Sequence, residues 1–191
     1  MRLKHKLLVV CILYMGKLQA QWALQPGIGI SIPITGYNTV SKAGVLYQLD
    51  ITRRLQNPRW GIGLLLAWAR MHRDNNPSDI FGNARLDQIP IVVSGDYELA
   101  GKTLHPYLGM GLGVSLYNLS YEVTPVSGET LFNVSFSLLP RAGVRVPVTK
   151  KFYPFLEVNC PLVMDGPPIG AGKAEKATGY VGVALGTAYR L

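Results

Sequence analysis

Apolar side chains alternate with mostly small or polar ones along much of this chain. Leu108, Met110, Leu112, Val114 and Leu116 take every second position, and Tyr107, Gly109, Gly111, Gly113, Ser115 and Tyr117 take the positions between. A period of two puts the two sets on opposite faces of an extended strand, whereas a helix would mix them around its circumference. The rule recurs with Trp60, Ile62, Leu64, Leu66 and Trp68 against Gly61, Gly63, Leu65, Ala67 and Ala69. It recurs again with Val181, Val183, Leu185, Tyr189 and Leu191 against Gly182, Ala184, Gly186, Ala188 and Arg190. Val45, Tyr47, Leu49 and Ile51 alternate with Leu46, Gln48, Asp50 and Thr52, and Ile89, Ile91 and Val93 with Gln88, Pro90, Val92 and Ser94. After residue 20 no helical period is sustained, and no run approaches the roughly 18 consecutive apolar residues of a membrane-spanning helix.

The alternating segments predict eight strands, at residues 26–35, 43–55, 59–72, 85–99, 103–118, 131–148, 152–164 and 177–191. Short turns join some of them, at Gln56-Asn57-Pro58, Ala100-Gly101-Lys102 and Thr149-Lys150-Lys151. Longer polar segments, 36–42, 73–84, 119–130 and 165–176, join the others. Short turns at one end and long loops at the other describe an all-β, eight-stranded antiparallel up-and-down barrel. Pro90 and Pro140 fall inside predicted strands, where a closed sheet has no edge to hide a missing N–H, so bulges or shifted boundaries are expected there.

Alternation alone does not say which face is outside. The face crowded with Gly, Ala and Ser also carries Asp50, Arg141 and Glu157 in mid-segment, as a narrow interior filled by side chains requires. A soluble lipocalin-like barrel would show more Lys and Glu on its solvent face, so the apolar face is assigned to lipid. Trp60 and Trp68 share that face eight residues apart. At about 3.3 Å per residue and a tilt near 40°, that is roughly 20 Å along the membrane normal, close to the height of a lipid-facing band between aromatic girdles. Tyr97, Phe152 and Tyr189 are expected to mark the girdle at the short-turn end. The reading is therefore a transmembrane barrel.

Residues 1–20 are read as a secretory signal peptide. Arg2, Lys4 and Lys6 precede an apolar stretch at 7–16, and Leu18-Gln19-Ala20 is a cleavage tripeptide. Cleavage after Ala20 leaves residues 21–191 as the barrel domain. Val10 before Cys11 is not small, which disfavours a lipoprotein signal. Cys160 then has no partner for a disulfide or a cysteine zinc site. Removing Arg2, Lys4, Lys6 and Lys17 from 19 basic residues leaves 15 against 11 acidic ones, a net charge of +4. Those 15 are scattered along the sequence with no patch or stripe, which argues against nucleic acid as a partner.

The run Leu86-Asp87-Gln88-Ile89-Pro90-Ile91, a short turn, then Pro106-Tyr107-Leu108-Gly109-Met110-Gly111-Leu112-Gly113, then Ala142-Gly143-Val144-Arg145 and a terminal Gly-rich strand ending Tyr189-Arg190-Leu191 resembles the outer-membrane β-barrel domain family. These are the OmpA/OmpX-like small porin-fold proteins common in Bacteroidota-type bacteria, and the resemblance covers essentially all of the chain after residue 20. It implies an eight-stranded barrel in the outer membrane of a Gram-negative bacterium, with both termini in the periplasm and no catalytic residues. It also implies that the final strand, with Val181, Val183, Leu185, Tyr189 and Leu191, is the signal read by the outer-membrane assembly machinery. Members of the family usually end on Phe, and here Leu191 takes that place.

For chemistry, the lumen face holds Asp50, Asp96, Glu98 and Glu157 against Arg54, Arg141 and Arg145. Unpaired charges in a narrow interior are costly, so a mutually satisfied plug is expected, with a gated conduit as the alternative. A hydrolase would need a rim histidine. His105 falls at the short-turn end, and His72 lies near Asp74 and Ser78 at the long-loop end without matching a barrel-enzyme motif. No catalytic, cofactor or metal site is assigned. The expected partners are outer-membrane lipid, the assembly machinery and an extracellular ligand at the long loops, for a protein that is itself a monomer. The expected role is envelope-structural or loop-mediated binding, with a narrow pore for ions or small solutes as the alternative.

Overall fold

The computed structural model describes residues 22–34, 42–73, 81–101, 103–123, 126–164 and 177–191. The expected signal peptide lies outside these residues. The strands are β1 (Trp22–Ile34), β2 (Gly44–Arg54), β3 (Trp60–Arg73), β4 (Phe81–Glu98), β5 (His105–Val123), β6 (Val126–Arg145), β7 (Phe152–Asn159), β8 (Leu162–Met164) and β9 (Ala177–Arg190). Each pairs antiparallel with its neighbours. β7 and β8 both lie between β6 and β9, as two segments of one stave interrupted at Cys160 and Pro161, so the nine strands make eight staves. β9 pairs back onto β1, which closes the sheet and removes both edges. The protein is an eight-stranded antiparallel up-and-down β-barrel.

The register fixes how wide the barrel is. Pairing once around the sheet runs Leu24, Ile51, Leu64, Val93, Leu112, Leu138, Leu162, Gly179 and back to Ile34, an offset of ten residues (34 − 24) on β1. Eight strands with that stagger tilt about 40° from the axis and enclose a radius of about 8 Å, room for side chains and little else.

Burial alternates with the same period. Ile28, Ile30, Leu64, Leu66, Leu112, Val114, Val158 and Leu185 point outward and are exposed, while Leu46, Gln48, Asp50 and Thr52 point inward and are buried. This face assignment places the apolar belt outside. Trp60 packs on Tyr97 with ring centroids 4.8 Å apart, and Phe152 pairs with Tyr189 across β7 and β9, all at the short-turn end. Trp68 stacks on Tyr47 at 5.8 Å, nearer the other end.

Two expectations need correcting. Neither Pro90 nor Pro140 makes a bulge, although the strands that hold them are bounded a few residues from the expected limits, at Phe81–Glu98 and Val126–Arg145. Pro90 keeps its place opposite Ser115 on β5, and toward β3 the ladder skips from Leu66↔Ile91 to Ala69↔Gln88 without changing register. Pro140 stays opposite Met110, and its carbonyl still accepts from Cys160 N at 3.0 Å. Because N–H and C=O of one residue point to the same neighbour in an antiparallel ladder, each proline leaves one gap on one side only.

The second correction concerns residues 119–130, expected as a polar loop. β5 runs on to Val123 and β6 starts at Val126, pairing Ser120↔Thr130, Tyr121↔Glu129 and Val123↔Val126. Leu119, Tyr121 and Val123 alternate with Ser120 and Glu122 at the end of β5, and Leu119 is buried, while Thr124, Pro125, Ser127 and Gly128 give the segment its loop-like composition.

Candidate functional site

The half of the lumen nearer the short turns is a continuous polar network. Its upper part centres on Arg141, whose Nη2 donates to Asp50 Oδ2 at 2.6 Å. Arg141 Nε lies 3.2 Å from Glu157 Oε2, close enough for an ion pair but too bent for a hydrogen bond. Glu157 also accepts from Tyr107 OH at 2.7 Å and from Gln48 Nε2 at 3.1 Å, and Asn159 Nδ2 donates to Gln48 Oε1 at 2.8 Å.

The lower part has two arginines over two acids. Arg54 lies 3.0 Å from both Asp96 and Glu98, and Arg145 lies 3.3 Å from Asp96 and 3.5 Å from Glu98. His105 Nδ1 is 2.7 Å from Glu98, and Arg190 reaches the same carboxylate at 4.0 Å. Gln25 joins the two parts, accepting from Arg145 Nε at 3.1 Å and donating to Thr52 Oγ1 at 2.9 Å and Asp50 Oδ2 at 3.4 Å. Tyr107 sits between them too, with the Arg145 guanidinium 3.7 Å and the Arg141 guanidinium 5.7 Å from its ring centroid. Asp50, Arg54, Asp96, Glu98, Arg141, Arg145 and Glu157 are thus all buried in one cluster.

Glycines on the same face make the room. A Cβ on Gly61 would strike the Asp96 carboxylate, one on Gly109 would come within 2.9 Å of Arg141 Cγ, and one on Gly143 would run into the Tyr107 phenol. The small residues of the sequence pattern are spaces cut for the large polar ones. Sequence reasoning missed Gln25, Gln48, Tyr107, Asn159 and Arg190 as members of the network. For Gln48 and Asn159 the available signal was parity, since each lies two residues from an assigned charge, Asp50 and Glu157, whereas Gln25, Tyr107 and Arg190 lie on strands with no assigned charge.

Beyond the network the lumen changes character. Leu46, Leu65, Val92 and Leu139 are all at most 1% exposed and belong to one apolar cluster with Ala67 and Ala184. Farther toward the long-loop end come Ser31, Gln88, Ser115, Ser137, Thr178 and Tyr180, buried and uncharged. Of these, Gln88 Oε1, Ser137 Oγ, Thr178 Oγ1 and Tyr180 OH have no protein partner among the described residues.

The two histidines are far apart in role as well as place. His105 is tied to Glu98, and His72 is exposed at the long-loop end, while Asp74 and Ser78 lie outside the described residues. Among the described residues no group of three or more His, Cys, Asp or Glu is placed to hold a metal ion. The segments 35–41, 74–80 and 165–176, where an extracellular ligand is expected, are likewise outside them.

The barrel is similar to solved outer-membrane proteins over nearly its whole length. Neisserial surface protein A matches with a TM-score of 0.59 at 16% identity, over 90% of this chain and 99% of that one. A major outer membrane protein from Thermus thermophilus matches with 0.60 at 12% identity, over 91% and 100%. The fold is that of the small outer-membrane barrels. OprG from Pseudomonas aeruginosa extends the set, with a TM-score of 0.57 at 15% identity over 90% and 96%. No family model matches the sequence, and no match to it is found among curated proteins. At these identities the likeness lies in strand number, order and closure.

The hydroxyl of Tyr107 gives a direct probe of the network. Tyr107→Phe removes the donor to Glu157 while keeping the ring between the two arginines, and is expected to cost about 1–3 kcal/mol as an unsatisfied buried carboxylate oxygen. A guanidinium unfolding midpoint equal to that of the parent protein in the same lipid would show that the hydroxyl contributes nothing.

Proposed function

We propose that this chain is a non-enzymatic integral protein of a Gram-negative outer membrane, with a closed lumen and an envelope-structural or loop-mediated binding role. In this reading residues 1–20 direct export and are removed. The barrel resides in outer-membrane lipid as a monomer. The final strand, from Val181 through Leu191, is what the assembly machinery recognises.

One observation carries the closed lumen: the charged network and the aliphatic cluster of Leu46, Leu65, Val92 and Leu139 lie one above the other inside a barrel about 8 Å in radius. An ion entering from the short-turn end would meet carboxylates and guanidiniums that already neutralise one another. It would then face a layer built mainly of aliphatic side chains, which offer little to replace its water. Protein refolded into planar bilayers is therefore expected to show no steady conductance. Stepwise openings resembling those of a general porin would reject the closed lumen and favour the narrow-pore reading. That second reading draws on the unpartnered polar atoms of Gln88, Ser137, Thr178 and Tyr180, which suit a water-filled stretch at the long-loop end.

A further inference from the structure

The basic residues that look scattered along the sequence are gathered by the fold. The three short-turn segments, 55–59, 99–104 and 146–151, contain Arg59, Lys102, Lys150 and Lys151 and not one Asp or Glu. Lys102 itself lies outside the described residues. Arg53 adds a fourth described cation at this end, on the outer face of β2, with its guanidinium 5.8 Å from the centroid of Trp22. Lys151 Nζ lies 5.9 Å from the centroid of Tyr189. The acids nearest in the chain, Asp50, Asp96, Glu98 and Glu157, point inward and are held by Arg54, Arg141 and Arg145. Toward the opposite end the arrangement differs, since Arg70 and Arg85 are each 2.8 Å from Asp87. The short turns thus gather positive charge at one rim without bringing acids of their own.

The same turns also expose apolar side chains. Leu55, Leu99, Leu104 and Val148 are 42–61% exposed and stand among Arg59, Lys150 and Lys151. The turn at 146–151 is firmly built, since Thr149 Oγ1 accepts from the backbone N–H groups of Lys151 at 3.3 Å and Phe152 at 3.1 Å. An exposed Leu beside a Lys is unfavourable in water and favourable at a lipid headgroup layer, where the apolar part enters the acyl boundary and the cation stays at the phosphates.

We propose that the short-turn rim binds anionic phospholipid headgroups of the leaflet it faces, through Arg59, Lys150 and Lys151, with Arg53 at its edge. The inference rests on the reading of the chain as a membrane barrel and adds the lipid class it selects. Trp22 and Tyr189 supply the apolar platform beneath two of the cations, so a phosphate would be met from the lipid side. An acidic polymer in the aqueous space would have no use for the exposed leucines.

The chain carries its own reporters. It has three tryptophans, of which Trp22 and Trp60 lie at this rim and Trp68 toward the other end. The full barrel would be reconstituted in vesicles of equal parts phosphatidylcholine and phosphatidylglycerol, with one or the other lipid brominated near its headgroup. In a Trp68→Phe variant, quenching of Trp22 and Trp60 is expected to report phosphatidylglycerol enriched about fivefold over phosphatidylcholine, in line with a few basic residues acting near a charged surface. The enrichment should vanish in high salt and in the Arg59→Gln, Lys150→Gln, Lys151→Gln triple variant. A Trp22→Phe, Trp60→Phe variant, reporting from Trp68 alone, should show no preference. Equal quenching by both lipids at the rim would overturn the proposal and leave the membrane reading standing. Quenching by neither would overturn the membrane reading as well. Binding of soluble peptidoglycan fragments without lipid enrichment would assign the rim to an aqueous polymer and also overturn it.

Discussion

Arg141→Ala is expected to be the most damaging side-chain truncation in the lumen. The Arg141 side chain is 1% exposed and faces two carboxylates, Asp50 at 2.6 Å and Glu157 at 3.2 Å, whose side chains are each 2% exposed. Removing one member of a buried ion pair costs about 3–5 kcal/mol because the other charge is left without a partner, and here two are left, so the loss should reach or pass the top of that range. The variant should fail to give the compact band of a folded barrel on unheated gels, or should unfold at a much lower guanidinium concentration. Charge itself is not what the barrel needs. An Arg141→Met, Asp50→Asn, Glu157→Gln triple variant removes all three charges at similar volume and should recover most of the stability, since neutral replacements of buried charge clusters are often tolerated. A triple variant as unstable as Arg141→Ala would show that the arginine acts by shape and hydrogen bonding rather than by holding the carboxylates.

This sets the limit of what the amino-acid sequence shows. Inside-outside parity is a property of single strands, and Leu108 to Leu116 or Trp60 to Trp68 display it without help from the rest of the fold. Inward parity likewise identifies Asp50, Arg141 and Glu157 as lumen residues. Which charge meets which is a property of register around the whole barrel. Arg141 lies 91 residues from Asp50 and Arg145 lies 120 residues from Gln25. No local pattern carries those distances. Tyr107 was missed for a related reason, because an inward tyrosine looks like packing until the two arginines on its faces are in place. The cations of the short-turn rim fall on separate strands and turns, and they become a cluster only when the turns meet at one end. The hairpin formed by the ends of β5 and β6 was hidden in another way, since Thr124, Pro125, Ser127 and Gly128 read as loop residues although the pairing around them is local.

The seam between β1 and β9 is where the barrel closes, and one methyl group placed there should open it. Gly29 faces Ala184 across the seam, and a Cβ built on it would run into the Val183 carbonyl oxygen and come within 2.7 Å of Ala184 Cα. Both are backbone atoms of the partner strand, so no side chain can rotate away and the strands themselves must separate. Separation would strip hydrogen bonds from a stretch of backbone that, in lipid, has no water to take their place. Gly29→Ala is therefore expected to cost more than about 3 kcal/mol, from overpacking together with the weakened seam. Gly95→Ala is the matched comparison. Gly95 also lies within a strand, but a Cβ there has only the Gly61 carbonyl oxygen nearby, at an ordinary 3.8 Å. That variant should be neutral or gain about 0.5–1 kcal/mol, as replacing a strand-interior glycine ordinarily does. Denaturant midpoints and unheated gel mobility of the two variants in the same lipid provide the measurement. If Gly29→Ala unfolds no earlier than Gly95→Ala, the approach of β9 to β1 is looser than described, and closure depends on side chains elsewhere in the lumen rather than on bare backbone at the seam.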